Sequence, residues 1–189
     1  ASEARVDMVF TAAITVTLVA FYVWDARGTP GARMLCYAGV AAAVLAKGPA
    51  GVVLPALVLL GFLAVERRLG ALRRLFSWPL VLATLAIDVG WYALAYVEGG
   101  VAFLHLQLVH ENLERIVGGA SFHHSERNGF GRMAISLLAG LLPWSLALVW
   151  CGIERVRDGR LDRPGRFLHA WWIVVLAVFT LAAGKRAVY

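Results

Sequence analysis

The side chains of this sequence that could do chemistry crowd into one stretch, residues 98–132, EGGVAFLHLQLVHENLERIVGGASFHHSERNGFGR. It carries four of the five histidines, interleaved with Glu111, Glu114, Arg115, Glu126 and Arg127. Imidazoles beside carboxylates and guanidinium groups suit three tasks: ligating a metal, moving a proton, or holding an anion. Elsewhere the chain is built of apolar runs, and its remaining candidates sit at their ends. These are Asp7 before the first run, Lys47 between the second and third, and Lys185, Arg186 and Tyr189 after the last.

Each group has a plain reading beside a functional one. His110-Glu111-Asn112-Leu113-Glu114 is one residue away from the zinc-protease pattern HExxH, with Glu114 where the second imidazole belongs. That chemistry needs two histidines one turn apart on one metal, so His110 and Glu111 stay weak metal candidates and His110 reads equally as an interfacial histidine. His123-His124 lies in a polar loop; neighbouring loop side chains point apart, so the pair suits hydrogen bonding to a phosphate or sugar, a single metal ligand, or plain solvation. Lys47, at a span end before Gly48-Pro49, either snorkels to the interface or waits for a lipid phosphate. Lys185-Arg186 poses the same choice. Asp7 favours the dipole of the helix it starts, or serves as a base or acceptor-binding carboxylate. Asp88 falls inside an apolar span, where charge is costly and marks a polar interior; a helix–helix hydrogen bond is expected there ahead of a catalytic role.

The elements that must position these groups are membrane helices. The chain of 189 residues is 60% hydrophobic and 16% charged, with mean hydropathy +0.72, outside the range of ordinary soluble domains. An all-α, polytopic transmembrane helical bundle is predicted, because only self-satisfied backbones cross a bilayer as helices. About six apolar runs can be marked, at 8–24, 34–46, 50–65, 78–97, 133–153 and 168–183. A span needs about 20 apolar residues, so the runs at 34–46 and 50–65 are short: two short helices joined by a tight turn, or one broken, re-entrant element. The formal charge of +6 does not point to nucleic acid, since the arginines cluster in short loops between apolar runs. Cys36 and Cys151 lie within apolar runs, which indicates neither a disulfide nor a metal site.

Alternate loops divide the charge unevenly. One set holds Arg27 and Arg33, then Arg67, Arg68, Arg73 and Arg74, then Arg155, Arg157, Arg160, Arg163 and Arg166. This set is expected to be cytoplasmic. Asp7, Lys47, the 98–132 loop and Lys185 to Tyr189 then share the opposite, extracytoplasmic face, and three cations on the depleted side favour an anionic ligand. Within that loop Phe103, Leu106, Val109 or His110, Leu113 and Ile116 or Val117 recur at helical spacing, and Gly118-Gly119 supplies a stop. An amphipathic interfacial helix over 101–117 is expected. Residues 1–189 read as a single transmembrane domain, an incomplete piece of a larger one, in a bacterial-type inner membrane.

Taken in order, EARVDM, LAKGPAGVVLPALVLL, the Trp91-Tyr92 span, HENLERIVGGASFHH, LLPWSL and AAGKRAVY resemble one family over nearly the whole chain. It is that of the polyprenyl-phosphate-dependent membrane glycosyltransferases related to protein O-mannosyltransferases and the aminoarabinose transferase of lipid A. The resemblance implies a C-type glycosyltransferase (GT-C) fold. It also implies transfer of a sugar from a polyprenyl-phosphate donor lipid to a lipid, protein or glycan acceptor at the extracytoplasmic face, with membrane lipids as surroundings and no nucleic acid. By the same resemblance Asp7 matches the family's second aspartate, at the border of the active site, and is the catalytic candidate. Lys47 matches its Lys-Gly-Pro motif, and Glu111 and Arg115 a glutamate and the arginine a turn later. His123 and His124 match loop histidines, and Lys185, Arg186 and Tyr189 a Gly-Lys-x-Pro-Tyr-like motif; these eight are the substrate-binding candidates.

Three departures accompany the match. Asn112 stands where the aminoarabinose branch has a histidine implicated in metal binding, so no cofactor is required by the resemblance and a divalent metal is left open. Ala187 replaces the usual proline. The family's first helix and first extracytoplasmic loop, with an acidic catalytic pair, would lie upstream of Ala1. Two other readings stand beside the enzyme. A transporter or flippase of a lipid-linked anion would use Asp88 and the cations as a path, and a non-catalytic membrane subunit would scaffold a larger complex.

Overall fold

In the computed structural model the described residues are 2–104 and 162–181. The chain separates into two compact units, Ala1–Leu113 and Glu114–Tyr189. In the first unit the described elements are α1 (Ser2–Arg27), α2 (Pro30–Lys47), α3 (Ala50–Val65), α4 (Ala71–Leu75) and α5 (Trp78–Leu104). In the second, α6 spans Arg163–Leu181. The apolar run at 133–153 lies outside the described residues.

The first three helices form an up-down-up bundle fixed by two very short links. Gly28-Thr29 joins α1 to α2, with the Gly28 N–H donating to the Trp24 carbonyl at 2.7 Å, and Pro30 opens α2 at a position where its missing N–H costs nothing. Gly48-Pro49 joins α2 to α3. Gly48 sits at φ 71°, ψ −147°, a region that only glycine enters without strain, and its N–H caps α2 through the Val44 carbonyl at 2.6 Å. Small side chains then let the helix axes close. On α1, Ala13, Thr17 and Ala20 recur at helical spacing, and on α2 Cys36, Gly39 and Ala43 do the same; all but Gly39 count among the buried side chains and Gly39 is itself buried. A Cβ at Gly39 would collide with the Thr17 hydroxyl and lie 3.0 Å from the Thr17 backbone nitrogen. Thr17 satisfies its hydroxyl by donating to the Ala13 carbonyl at 2.8 Å. This is the small-residue packing by which helices associate where hydrocarbon offers no hydrophobic drive.

The short runs are therefore two helices with a tight turn, and the alternative of one broken, re-entrant element is set aside. α2 has 18 residues and α3 has 16. Contacts at both ends show that each traverses the length of α1. Lys47 at the end of α2 meets Asp7 near the start of α1, while Arg68 just beyond α3 meets Asp25 near the end of α1. Whatever depth α1 crosses, α2 and α3 cross with it. The helix α3 is apolar on all sides, and its Pro55 is accommodated in the interior. Such a helix suits surroundings of neighbouring helices and hydrocarbon.

Beyond α3, Arg67 takes φ 55° and the chain turns into α4. Tyr37 of α2 staples this connection, donating its hydroxyl to the Leu75 carbonyl at 3.2 Å and accepting the Ser77 N–H at 3.3 Å. α5 starts there and packs on α2. Its 27 residues conceal a break, for Gly100 has φ 64°, ψ −166° and divides the span from a second helical piece beginning at Val101. Only the first four residues of the amphipathic helix expected over 101–117 are described, and they follow this break. Leu82, Leu85, Val89, Trp91, Leu94 and Val97 are all exposed along α5, an apolar surface unsuited to water. Among the described residues, two helical segments, Asp7–Arg27 and Trp78–Val97, are long and apolar enough to cross a membrane.

In the second unit, Asp162 caps α6 by accepting the Gly165 N–H at 3.1 Å. The helix starts five residues before the apolar run at 168–183, because Asp162-Arg163-Pro164 is a strong start signal that hydropathy alone passes over. His169 lies one turn on, its Nδ1 2.7 Å from the Gly165 carbonyl.

Candidate functional site

Two of the sequence-identified residues come together. Asp7 lies on the first turns of α1 and Lys47 is the last residue of α2, forty positions later. The tight links on either side of α2 bring these two helix ends side by side, and the Lys47 ammonium forms an ion pair with Asp7 Oδ1. The same ammonium lies 5.4 Å from the centre of the Phe10 ring, one turn after Asp7 on the same face of α1. The pair is partly open: the Lys47 side chain keeps 37% and the Asp7 side chain 32% of their accessible surface.

Charge is segregated along this bundle. The opposite end carries Arg27, Arg33, Arg67, Arg68, Arg73 and Arg74, and there Arg68 grips Asp25 with two hydrogen bonds, Nη1 to Oδ2 at 3.1 Å and Nη2 to Oδ1 at 3.3 Å. The Asp25 side chain is only 3% exposed. Sequence reasoning counted Asp25 and Arg68 only as loop charge. Their spacing of 43 residues carries no local signal, and only the up-down-up path makes them neighbours.

Asp88 lies about midway along the membrane-length part of α5 and is 8% exposed. The helix–helix hydrogen bond expected of it is not made by its Oδ1, which has no hydrogen-bond partner among the described residues. Glu111, Arg115, His123, His124, Lys185, Arg186 and Tyr189 lie outside the described residues, as does His110. Among the described residues there is no group of three or more His, Cys, Asp or Glu side chains placed to hold a metal ion.

The arrangement of a partly exposed lysine held at a helix end beside a carboxylate is found in a chain with clear relatives. No family model matches it. It is 29% identical over 194 residues, all of its own length, to an undecaprenyl phosphate-alpha-4-amino-4-deoxy-L-arabinose arabinosyl transferase of Pseudomonas fluorescens. It is 31% identical over 193 residues to the transferase of the same description from Pseudomonas aeruginosa, covering 98% of this chain. The crystal structure of ArnT from Cupriavidus metallidurans bound to undecaprenyl phosphate superposes with a TM-score of 0.78 over 96% of this chain, at 24% identity. The chain is a relative of these arabinosyl transferases along its whole length and has their GT-C membrane fold. It spans about a third of the length of each, covering 32% and 34% of the two Pseudomonas proteins and 33% of the ArnT chain.

Proposed function

We propose that this chain forms one transmembrane domain's worth of an integral membrane glycosyltransferase that moves a sugar from a polyprenyl-phosphate donor to an acceptor at the extracytoplasmic face. The pairing of Asp7 with Lys47, at the end of the bundle away from the arginines, is the observation that carries this reading. It sets a carboxylate and a cation within reach of one ligand at a membrane surface, and the whole-length relationship to transferases of undecaprenyl-phosphate-linked sugars supplies the ligand class.

In the reaction, a carboxylate takes the proton of the acceptor hydroxyl as its oxygen attacks the anomeric carbon. The bond from that carbon to the phosphate oxygen breaks, and its electron pair leaves with the lipid phosphate. Lys47 stabilises the negative charge growing on the leaving phosphate, and Lys185, Arg186, Arg115 and Tyr189 keep the donor-binding roles that the resemblance gives them. Asp7 orients the acceptor or shares the role of base. Glu111, His123 and His124, on the 98–132 loop, contact the sugar or phosphate, and the amphipathic helix expected over 101–117 would close one wall against the head group. A divalent metal would call on His110 and Glu111, and no step above depends on it.

The test uses the full-length protein in membranes. Asp7→Asn is expected to abolish transfer while expression and detergent-extracted yield are kept; near-normal turnover would remove Asp7 from the site. Lys185→Ala is expected to raise the donor concentration needed for half-maximal rate, and an unchanged dependence would remove that residue from the phosphate site.

A further inference from the structure

The Lys47 ammonium is held from two sides, and the second side is unexplained by the chemistry above. Asp7 supplies the charge. Phe10 supplies a ring 5.4 Å away, and this residue is buried, at 7% exposure. A lysine at a span end ordinarily spreads over many rotamers as it snorkels, and an ion pair as open as this one holds it loosely. The ring changes that in two ways. It attracts the ammonium through its negative face, and it lines one side of the pair with hydrocarbon, so the local field is less screened. It does so without neutralising the cation, because a ring face carries no net charge. Gly48 adds the geometric condition: the break there ends α2 at Lys47, whose ammonium lies over the Phe10 ring.

We propose that Phe10 is a positioning residue for the donor phosphate, acting through Lys47: it fixes the ammonium beside Asp7 with its open side presented to a phosphate oxygen. This rests on the reading of Lys47 as a phosphate ligand given above. A carboxylate alone would compete with the phosphate for the same charge; the ring orients the cation and leaves that charge available.

The experiment is titration of the full-length protein, in nanodiscs, with undecaprenyl phosphate, together with steady-state transfer kinetics. Phe10→Leu keeps an apolar side chain and removes the ring face. It is expected to weaken undecaprenyl phosphate roughly fivefold, the size of a partly desolvated cation–π contact, and to raise KM for the lipid donor with little change in kcat. Phe10→Tyr is expected to restore binding. In a Lys47→Ala background, Phe10→Leu is expected to add nothing. Should Phe10→Leu fail to fold, stepwise fluorinated phenylalanine at position 10 drains the ring face at nearly constant shape, and affinity is expected to fall with each fluorine. Undiminished affinity along that series, or equal losses in Phe10→Leu and Phe10→Tyr, would overturn the role of Phe10 while leaving Lys47 as a phosphate ligand. Unchanged affinity in Lys47→Ala alone would instead overturn the phosphate reading itself.

Discussion

Asp25 and Arg68 show what a charged pair does at the edge of an apolar bundle. The Asp25 side chain is nearly inaccessible while the Arg68 side chain is 37% exposed, and two N–H···O bonds join them. Removing the cation leaves a sequestered carboxylate without its bidentate partner, which in proteins costs up to about 3–5 kcal/mol for a fully buried pair. Because Arg68 is partly solvated, about 2 kcal/mol is the reasonable expectation for Arg68→Ala. The check is the thermal midpoint of the detergent-solubilised protein, which should fall by several degrees, while Arg73→Ala, at an exposed position of α4, should leave it nearly unchanged. Equal midpoints for the two variants would mean that the Asp25–Arg68 contact carries no structural weight. Asp7 and Lys47 form the matching pair at the other end, yet with a third of each side chain open they contribute far less to stability. A pair that stabilises little and stays partly accessible can be reached by a ligand.

At the scale of the element, two glycines set the geometry of the helix hairpin, each for a different reason. Gly39 is a matter of space, because any side chain there meets the Thr17 hydroxyl and backbone. Gly39→Val is expected to push α1 from α2 and, by separating Asp7 from Lys47, to lose the proposed transfer activity along with thermal stability. Gly48 is a matter of backbone conformation, since its φ and ψ lie where a Cβ is strained by about 1–3 kcal/mol. Gly48→Ala is expected to lower stability by that amount and to re-aim Lys47, so that the proposed affinity for undecaprenyl phosphate drops even where the protein stays folded. Titration at a temperature well below the variant's midpoint separates the two effects; full affinity there would show that the turn does not aim the lysine. The Lys-Gly-Pro sequence thus has a conformational logic: the lysine ends a helix, the glycine turns the chain, and the proline starts the next helix at once.

Within the first unit, the bundle of α1, α2 and α3 carries charge at its two ends and is apolar between them. The arginine-rich end contains the α1–α2 link and the connection beyond α3; the other end contains Asp7 and Lys47. The positive-inside bias orients such a bundle with the arginines in the cytoplasm. Single cysteines in a Cys36→Ser, Cys151→Ser background test this directly. Gly70→Cys, at an exposed position beside α4, is expected to react with a membrane-impermeant maleimide only after the cells are permeabilised, and Gly99→Cys in intact cells. The reverse pattern would turn the proposed site to the cytoplasm and defeat the extracytoplasmic reading.

The helical membrane class and the rough extents of the runs at 8–24, 34–46, 50–65 and 78–97 follow from the sequence alone, because bilayer physics makes apolar length a nearly sufficient signal. The place of Asp7 and Lys47 on one face was also legible, since counting arginines in alternate loops needs no coordinates. The start of α6 was not, because the Asp162 cap precedes the apolar run and contributes nothing to hydropathy. Other features exist only in three dimensions. Whether the two short runs traverse the bundle was decided by ion pairs between residues forty or more positions apart, and the Phe10 ring acquires a meaning only when Lys47 is laid across it. Hydropathy and charge bias act one segment at a time, so a single sequence expresses them directly. Which side chains meet depends on how closely α1, α2 and α3 can approach, and that was settled by the space around Gly39 and the turn at Gly48.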